Sequence, residues 1–196
     1  MHAPQIYLAS TSPRRRDLLD QLGIRYRTLQ VEVDEMLCAS ELPDAYVMRL
    51  ARAKAWAGWH HARDPQLTCP ALGADTSVVL EGEVLGKPRD RTHGQEMLER
   101  LSGRSHQVLT AIALVDGARE AMRLSVSTVT FRATTAAERD AYWNSGEPLG
   151  KAGGYAIQGR AAVFVAHLEG SFSGVMGLPL YETAQVLSEF GIAVLD

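Results

Sequence analysis

Apolar residues recur along this chain at two spacings, one typical of β-strands and one typical of α-helices. Short apolar runs bounded by turn-forming residues predict strands over residues 6–9, 26–33, 71–80, 83–85, 107–115, 121–132 and 161–168. Apolar positions three and four residues apart predict helices over residues 13–22, 43–61, 93–102, 136–145 and 179–190. Strands and helices interleave around an antiparallel meander, so the predicted fold class is α/β with a mixed sheet.

Two details of this pattern predict local features. The capping-box pattern, a Thr followed three residues later by Gln or Glu, predicts where two helices begin, at Thr92-x-x-Gln95 and Thr135-x-x-Glu138. In the strand over 121–132, the apolar positions change from even to odd residue numbers after Val126. A one-residue change of this kind predicts a β-bulge.

Length, composition and charge fit one domain and exclude several classes of partner. The 196 residues are 46% apolar, enough for one core, and no linker divides them, so residues 1–196 are predicted to form a single domain, with two lobes left open. Lys and Arg number 20 against 23 Asp and Glu, a balance that favours neither a nucleic acid nor a membrane as partner. No apolar run is long enough to span a bilayer and no targeting segment is apparent, so we expect a cytoplasmic protein. Cys38 and Cys69 lack metal or redox spacing and are expected to be reduced thiols.

The cations of this chain are 17 arginines and three lysines, Lys54, Lys87 and Lys151. A lysine kept against that bias is a candidate for a position that needs a compact point charge, with drift as the alternative. Lys54 shares a helical stripe with Leu50 and Gly58, so it lies on the face predicted to be buried. A buried ammonium is costly without an anion or a cleft, although a lysine that extends to solvent from the edge of the stripe also fits the pattern.

The loop after the first predicted strand carries two serines and a run of arginines, among them Ser10, Ser12, Arg14, Arg15 and Arg16. A loop that leaves a strand and enters a helix presents unpaired backbone N–H groups and the positive end of the helix dipole, where phosphates bind. Helical geometry turns Arg14 and Arg15 toward such a site and Arg16 toward solvent. In the alternative interpretation Ser12 only caps the helix and the arginines are surface charge.

A second candidate segment contains a single carboxylate, Asp75, which we take as the end of an apolar strand and which is followed by Thr76. A carboxylate in this position suits a divalent-metal ligand or a general base for water, and a simple turn former is the alternative. Further on, Gly86-Lys87 can bring a backbone and an ammonium close to a phosphate. This is not a Walker A loop, because the glycine spacing is one residue short and Pro88 replaces the magnesium-binding hydroxyl.

Residues 146–159 contain five glycines, too many for the interior of a helix or strand. Such a segment predicts a loop whose backbone approaches a ligand closely. Tyr155 could stack on that ligand, and Gln158 could read a hydrogen-bonding edge. The sequence has neither the H-E-x-x-H nor the G-x-S-x-G signature.

Taken together, these segments resemble the Maf family of nucleoside triphosphate pyrophosphatases. The resemblance covers about residues 6–190 and rests on five segments in a fixed order: 8–15 (LASTSPRR), 73–76 (GADT), 86–88 (GKP), 101–106 (LSGRSH) and 151–159 (KAGGYAIQG). It implies a fold like that of the inosine triphosphate pyrophosphatases, an elongated mixed sheet with flanking helices and a central cleft. It also implies a homodimer, a nucleotide as the small-molecule partner, and a divalent cation (Mg²⁺, Mn²⁺ or Co²⁺) as cofactor for hydrolysis of a triphosphate to monophosphate and pyrophosphate.

The resemblance implies roles for individual residues. Those expected to hold the triphosphate are Ser10, Arg14, Arg15, Lys54 and Lys87. Asp75 is expected to accept the proton of the attacking water and to contact the metal, with Glu35 as a second metal contact. Gln158, together with Arg14 and Thr76, matches the specificity positions of the branch that resembles dTTP/UTP pyrophosphatases. Lys151 is expected to anchor the glycine-rich loop or a nearby carboxylate. The chain departs from the family pattern at Gly150, Gly154 and Ala156.

Three other interpretations use the same residues differently. A pyrophosphatase for 7-methyl-GTP or another modified nucleotide would share the phosphate site, although that branch usually has Glu in place of Gln158. A nucleotide-binding regulator of septum formation, a role also associated with the family, needs cations and loops but no base, so Asp75 favours catalysis. A single-strand nucleic-acid binder is weakly supported because the three tryptophans do not interleave on a basic face.

Overall fold

The computed structural model describes residues 3–62 and 69–195. Its elements, in chain order, are β1 (Ile6–Leu8), α1 (Pro13–Gln21), β2 (Tyr26–Thr28), α2 (Pro43–His61), β3 (Ala71–Leu80), β4 (Glu83–Leu85), α3 (Arg91–Leu101), β5 (Ser105–Val115), β6 (Glu120–Phe131), α4 (Ala136–Asn144), β7 (Val165–Glu169), α5 (Phe172–Met176) and α6 (Leu180–Glu189). Two short 3₁₀ segments, Ala152–Gly154 and Arg160–Phe164, lie between α4 and β7.

The strands of the described residues form one seven-stranded sheet in the order β2-β1-β3-β5-β6-β7, with β4 paired to β3. β1 runs parallel to both β2 and β3, and the other pairs are antiparallel. The long strands β3, β5 and β6 form the predicted central meander. The prediction of an α/β fold with a mixed sheet and flanking helices is therefore confirmed.

Alternation along β3 separates the two faces of the sheet. Odd-numbered residues such as Ala71 and Val79 pack in a cluster with Val47 and Ala55 of α2. On the opposite face, one apolar cluster contains residues of α1 and α6, and a second contains residues of α3, α4 and the second 3₁₀ segment. The residues of β3 and β5 that lie between these two clusters are polar, namely the register pair Thr76 and Thr110. This polar gap is where the cleft opens.

All the predicted helices are present, and the short α5 is an addition to them. The capping box at Thr135 is confirmed, since its hydroxyl accepts from Glu138 N at 3.2 Å and Glu138 accepts from Thr135 N at 2.7 Å. The capping box at Thr92 is wrong. Asp90 caps α3 instead, because its carboxylate accepts from His93 N at 2.8 Å and starts the helix at Arg91. No helix of residues 3–62 and 69–195 is long and apolar enough to cross a membrane.

Two predicted strands are shorter than expected. The strand over 26–33 ends at Thr28, because its partner β1 ends at Leu8. The strand over 161–168 begins only at Val165, because Arg160–Phe164 forms a 3₁₀ turn.

The predicted β-bulge after Val126 is wrong. The pairing of β5 with β6 is continuous from Ser105↔Thr130 to Val115↔Glu120, and the register shift lies between Thr130 and Phe131, against β7. The apolar residues of β6 change parity for another reason. Met122 packs toward the cluster around α2, whereas Phe131 packs in a cluster on the opposite face, so the strand stays regular while the covered face changes.

Candidate active site

A cleft with a volume of about 440 Å³ opens at the polar gap between the two apolar clusters. Its walls come from the loop before α1, the middle of β3, one side chain of α2, the turn after β4 and the glycine-rich segment after α4. All the residues predicted for the site lie along these walls: Ser10, Arg14, Arg15, Glu35, Lys54, Asp75, Thr76, Lys87 and Gln158.

Asp75 and Thr76 lie in the middle of β3, as the strand predicted over residues 71–80 has them, so the interpretation of Asp75 as the end of a strand is wrong. The strand continues because β5 pairs with it on both sides of Asp75. Adjacent residues of a strand point to opposite faces. Asp75 therefore meets Lys54 of α2, while Thr76 meets Arg15 on the other side. The strand β3 therefore contributes side chains to the cleft from both faces of the sheet.

Arg15 links the loop before α1 to the centre of the sheet. Its Nη1 donates to Ser10 Oγ at 3.2 Å and its Nη2 donates to Thr76 Oγ1 at 3.4 Å. Thr110 donates to Gly174 O at 2.7 Å, so in the 3.0 Å bond between the two threonine hydroxyls Thr76 is the donor. The hydrogen bonds therefore all run in one direction, from the guanidinium of Arg15 through the hydroxyls of Thr76 and Thr110 to the backbone carbonyl of Gly174.

Arg14 and Arg15 also hold the end of α5. Arg14 Nε donates to Met176 O at 3.3 Å and Arg15 Nε donates to Gly177 O at 2.8 Å. Burial lowers the pKa of both guanidinium groups, and at Arg15 the charge of Asp75 opposes that effect. Arginine remains protonated in proteins, so two positive charges face the cleft, while Arg16 is exposed.

Lys54 lies between two carboxylates. Its Nζ is 2.7 Å from Asp75 Oδ1 and 2.6 Å from Glu35 Oε1, and only 13% of its side chain is exposed. Lys87 approaches the second oxygen of Glu35 at 3.4 Å but is 62% exposed. Burial favours the neutral form of Glu35, yet the hydrogen bond and charge of Lys54, followed by those of Lys87, lower the pKa of Glu35. The carboxylate is therefore ionised at neutral pH.

The helix α2 positions both partners of Lys54. Gly73 lets α2 pack directly on β3, because a Cβ there would lie 2.3 Å from Ala51 O. Tyr46 donates to Glu35 O at 2.8 Å, and Arg49 donates to Met36 O at 2.9 Å, which holds the loop that carries Glu35 against the helix. The sequence reasoning missed Tyr46 and Arg49. Nothing in the sequence distinguishes Arg49 from the other arginines.

Glu35 and Asp75 are the residues with the right chemistry for a divalent cation. Carboxylate oxygens are the hard ligands that Mg²⁺ and Mn²⁺ take, and both carboxylates contact the same ammonium, so they lie close enough to share one ion. Within residues 3–62 and 69–195, no group of three or more His, Cys, Asp and Glu side chains is arranged to hold a metal. The pair fits a cation that takes its other ligands from phosphate oxygens and water.

Tyr155 lies in the wall that the glycine-rich segment contributes to the cleft. Its ring is buried edge-to-face against Phe131 and His106, with centroids 4.9 Å and 5.5 Å apart, and its hydroxyl shares a 2.8 Å hydrogen bond with His106 Nε2. Burial lowers the pKa of His106 to about 4 and raises the pKa of Tyr155, so both groups are neutral at neutral pH. The ring belongs to the core, which leaves only the part that borders the cleft for the predicted stacking role.

The glycine-rich segment is tied to the rest of the cleft by its backbone. Gly153 has a φ of 66°, its N–H donates to Gly86 O at 3.0 Å, and a Cβ there would lie 2.9 Å from Val78. Of the two roles predicted for Lys151, the structure has the loop anchor, since its ammonium donates to Glu147 O. Gln158 is exposed at the edge of the cleft.

An α/β fold with a cleft that combines five cations and two carboxylates defines a protein suited to bind a polyphosphate and a cation. The comparison with family models gives the particular assignment. Residues 5–190 match the model described as Maf-like protein, and the chain belongs to the Maf family.

Two curated relatives resemble the chain over nearly its whole length. A dTTP/UTP pyrophosphatase of Alkalilimnicola ehrlichii is 60% identical over 193 residues, which cover 97% of this chain and 95% of the relative. A dTTP/UTP pyrophosphatase of Saccharophagus degradans is 50% identical over 193 residues, which cover 98% and 92% of the two chains. The solved structure of the Staphylococcus aureus Ham1 protein aligns with 64% of this chain and 71% of its own, with a TM-score of 0.40 and 13% identity.

Proposed function

We propose that this protein hydrolyses dTTP and UTP to the nucleoside monophosphate and pyrophosphate. The observation that carries the proposal is the convergence of Lys54, Glu35 and Asp75 within 2.6–2.7 Å contacts in one cleft, beside the guanidinium groups of Arg14 and Arg15. The two relatives named dTTP/UTP pyrophosphatase support the choice of substrate class.

In the proposed reaction Asp75 accepts the proton of the attacking water. One of its oxygens is bonded to Lys54, which leaves the second oxygen for the water. The water oxygen bonds to the α-phosphorus, the bond from that phosphorus to the bridging oxygen breaks, and pyrophosphate leaves with the electron pair. The proton of the water passes to the carboxylate.

The cations of the cleft hold the triphosphate and neutralise the charge that develops on it. Arg14 and Arg15 come from α1 and Lys87 from the turn after β4, and all three line one cavity. Charges that the fold has already placed stabilise a transition state without further reorganisation. Lys54 has two carboxylate partners, and we expect it to exchange one of them for a phosphate oxygen when the nucleotide binds.

Glu35 and Asp75 would hold a divalent cation, Mg²⁺, Mn²⁺ or Co²⁺. When bound, such a cation neutralises phosphate charge and lowers the pKa of a water ligand. The contribution of this chain is to keep both carboxylates close together, with the pKa of Glu35 lowered by the lysines.

Gln158 is the residue that we expect to read the base. A carboxamide carries both a donor and an acceptor, so it can pair with the carbonyl and N3–H edge of uracil or thymine. Its exposed side chain, which lines the cleft, supports this role. We also propose that the partner is a free nucleotide and neither a nucleic acid nor a membrane, and that the protein is a homodimer. The proposed location is the cytoplasm, where free triphosphates are found.

A nucleotide panel with Mg²⁺ or Mn²⁺ tests the proposal. UTP, dTTP, CTP, GTP and 7-methyl-GTP are incubated with the protein, and ion chromatography separates pyrophosphate from orthophosphate. We expect pyrophosphate and a monophosphate, with UTP and dTTP turned over fastest. Release of orthophosphate and a diphosphate would contradict the reaction, and faster turnover of 7-methyl-GTP would contradict the substrate class.

A further inference from the structure

Glu147 is a carboxylate that lies next to the cleft but is not one of its lining residues. It is only partly exposed, and its two oxygens accept three hydrogen bonds: from Tyr142 Oη at 2.8 Å, from Arg160 N at 2.9 Å and from Ala161 N at 3.3 Å. Burial raises its pKa, but the bond from Arg160 N, followed by those from Tyr142 and Ala161, lowers the pKa of Glu147 below its ordinary value. Glu147 is therefore an ionised group that accepts at both oxygens.

Tyr142, which donates to Glu147, also contacts the glycine-rich segment at a second point. Tyr142 is buried, and its hydroxyl accepts a hydrogen bond from Ala156 N at 3.2 Å while it donates to Glu147. Tyr142 thus holds the backbone two residues before Gln158, and Glu147 holds it two residues after, at Arg160. The two side chains, joined by one hydrogen bond, fix the backbone on both sides of Gln158.

Glu147 and Tyr142 pack closely against the backbone around Gln158. A Cβ on Gly159 would lie 2.4 Å from Glu147 Oε2, so the glycine admits the carboxylate to the backbone. On the other side of Gln158, Ile157 is buried in an apolar cluster that also contains Tyr142. Gln158 is exposed between the buried Ile157 and the partly buried Gly159, so its backbone is held while its side chain can meet a ligand.

We propose that Glu147, together with Tyr142, is a positioning residue that sets the place of Gln158 and thereby the preference of the cleft for pyrimidine bases. This inference rests on the proposed function, in which Gln158 reads the base. The cation of the cleft that Glu147 contacts among the described residues is Lys151, which donates to its backbone carbonyl and is not one of the residues proposed to hold the triphosphate. The carboxylate of Glu147 therefore acts on base selection through Gln158 and not on hydrolysis itself.

The test compares kcat/KM for UTP and GTP in Glu147→Gln, Tyr142→Phe and Gln158→Ala. In Glu147→Gln the amide NH₂ faces either Arg160 N or Ala161 N, so one backbone N–H loses its acceptor whichever way the amide is turned. We expect the UTP-to-GTP ratio of kcat/KM to fall by about five- to tenfold, the size of one lost hydrogen bond, through a higher KM for UTP. The kcat for both nucleotides should stay within about twofold, because no group that contacts the triphosphate has changed. Tyr142→Phe should change the ratio in the same direction.

Two further measurements separate positioning from general damage. Glu99→Gln is the matched control, since Glu99 is an exposed carboxylate paired with Arg139 away from the cleft, and it should leave the ratio unchanged. In the Gln158→Ala background, Glu147→Gln should have no further effect on the ratio, because the residue through which it acts is gone. Thermal unfolding of each variant shows whether the fold is intact.

The outcomes distinguish the inference from the function on which it rests. An equal loss for UTP and GTP in Glu147→Gln, or a full effect of that change in the Gln158→Ala background, would overturn the positioning role alone. An unchanged ratio in Gln158→Ala itself would show that Gln158 does not read the base, which contradicts that part of the proposed function and the inference with it. A lowered ratio in both single variants, without further loss in the double variant, supports both.

Discussion

The two regions of the cleft that are proposed to bind the phosphates and the base, called here the phosphate end and the base end, are built in different ways. At the phosphate end, charged side chains from separate elements converge, as in the contacts of Lys54 with Asp75 and Glu35. At the base end, one exposed side chain, Gln158, stands on a backbone that glycines and Glu147 hold in place. Fixed charges act on any triphosphate, whereas the position of a loop can favour one base. Changes at the phosphate end should therefore affect all nucleotides alike, and changes at the base end should alter their ranking.

The largest effect is expected at the proposed general base. Asp75→Asn keeps the shape of the side chain but removes its ability to accept a proton, so kcat should fall by about 10³-fold or more for every nucleotide. Nucleotide binding, measured by calorimetry with a non-hydrolysable analogue, should stay within about tenfold. Asp116→Asn, a change in the hairpin pair with Arg119, is the control and should keep wild-type activity. Wild-type turnover of Asp75→Asn would remove Asp75 from the mechanism.

A smaller effect is expected from the buried ammonium. Lys54→Gln removes one charged donor from a prepared site, which should lower kcat/KM by about 10²-fold. The UTP-to-GTP ratio should not change, because the lost contact is to phosphate. Lys54→Arg keeps the charge but not the compact shape between two carboxylates, so we expect only partial recovery. A changed UTP-to-GTP ratio in Lys54→Gln would contradict the division of the cleft into a phosphate end and a base end.

The base end is probed by Gln158→Glu. The change leaves an acceptor facing a base carbonyl, which should cost about 1–3 kcal/mol and lower kcat/KM for UTP and dTTP by roughly one to two decades. Guanine nucleotides, whose N1–H and amino group donate, should lose less or gain. Gln185→Glu on α6 is the control, because that side chain bonds only to Tyr181 among the contacts described. If the UTP-to-GTP ratio stays the same in Gln158→Glu, the pyrimidine assignment loses its main support.

The smallest effect is expected on stability, at His106, which packs against Tyr155 in the wall of the cleft. Burial holds the pKa of His106 at about 4 in the folded protein, against about 6.5 in an unfolded chain. Between these values the unfolded chain binds more protons, so the stability contributed by neutral His106 is complete above about pH 6.5 and is lost as the pH falls toward 4. From pH 7 to 5.5 the loss in the free energy of unfolding should be about 1 kcal/mol.

Urea unfolding of the wild type and His106→Gln at both pH values checks this expectation. Gln does not titrate, so the difference between pH 7 and 5.5 should shrink by about 1 kcal/mol in the variant, whatever its absolute stability. An equal pH dependence in the two proteins would show that His106 has the same pKa in the folded and unfolded states, so that burial does not keep its ring neutral at pH 5.5.

Local patterns anticipated much of the fold and the membership of the cleft. The strand, loop and helix that carry Ser10 and Arg15 follow from residues close together in the chain, and so does the stripe that turns Lys54 inward. The errors have two different causes. Asp90, a near neighbour in the chain, caps α3 in place of Thr92, whereas pairing with the distant strand β5 continues β3 on both sides of Asp75, the residue interpreted from the sequence as a strand end.

The sequence by itself determined which elements form, which residues carry charge and which segment is flexible enough to approach a ligand, because these depend on spacing and on neighbouring residues. Only the tertiary structure decided which charges meet. The contacts of Lys54 with Glu35 and Asp75 join three distant parts of the chain, and the contacts of Glu147 with Tyr142 and Arg160 depend on how α4 packs beside the 3₁₀ turn. Hydrogen bonds and ion pairs act over a few ångströms in space, and the folded sheet sets those distances.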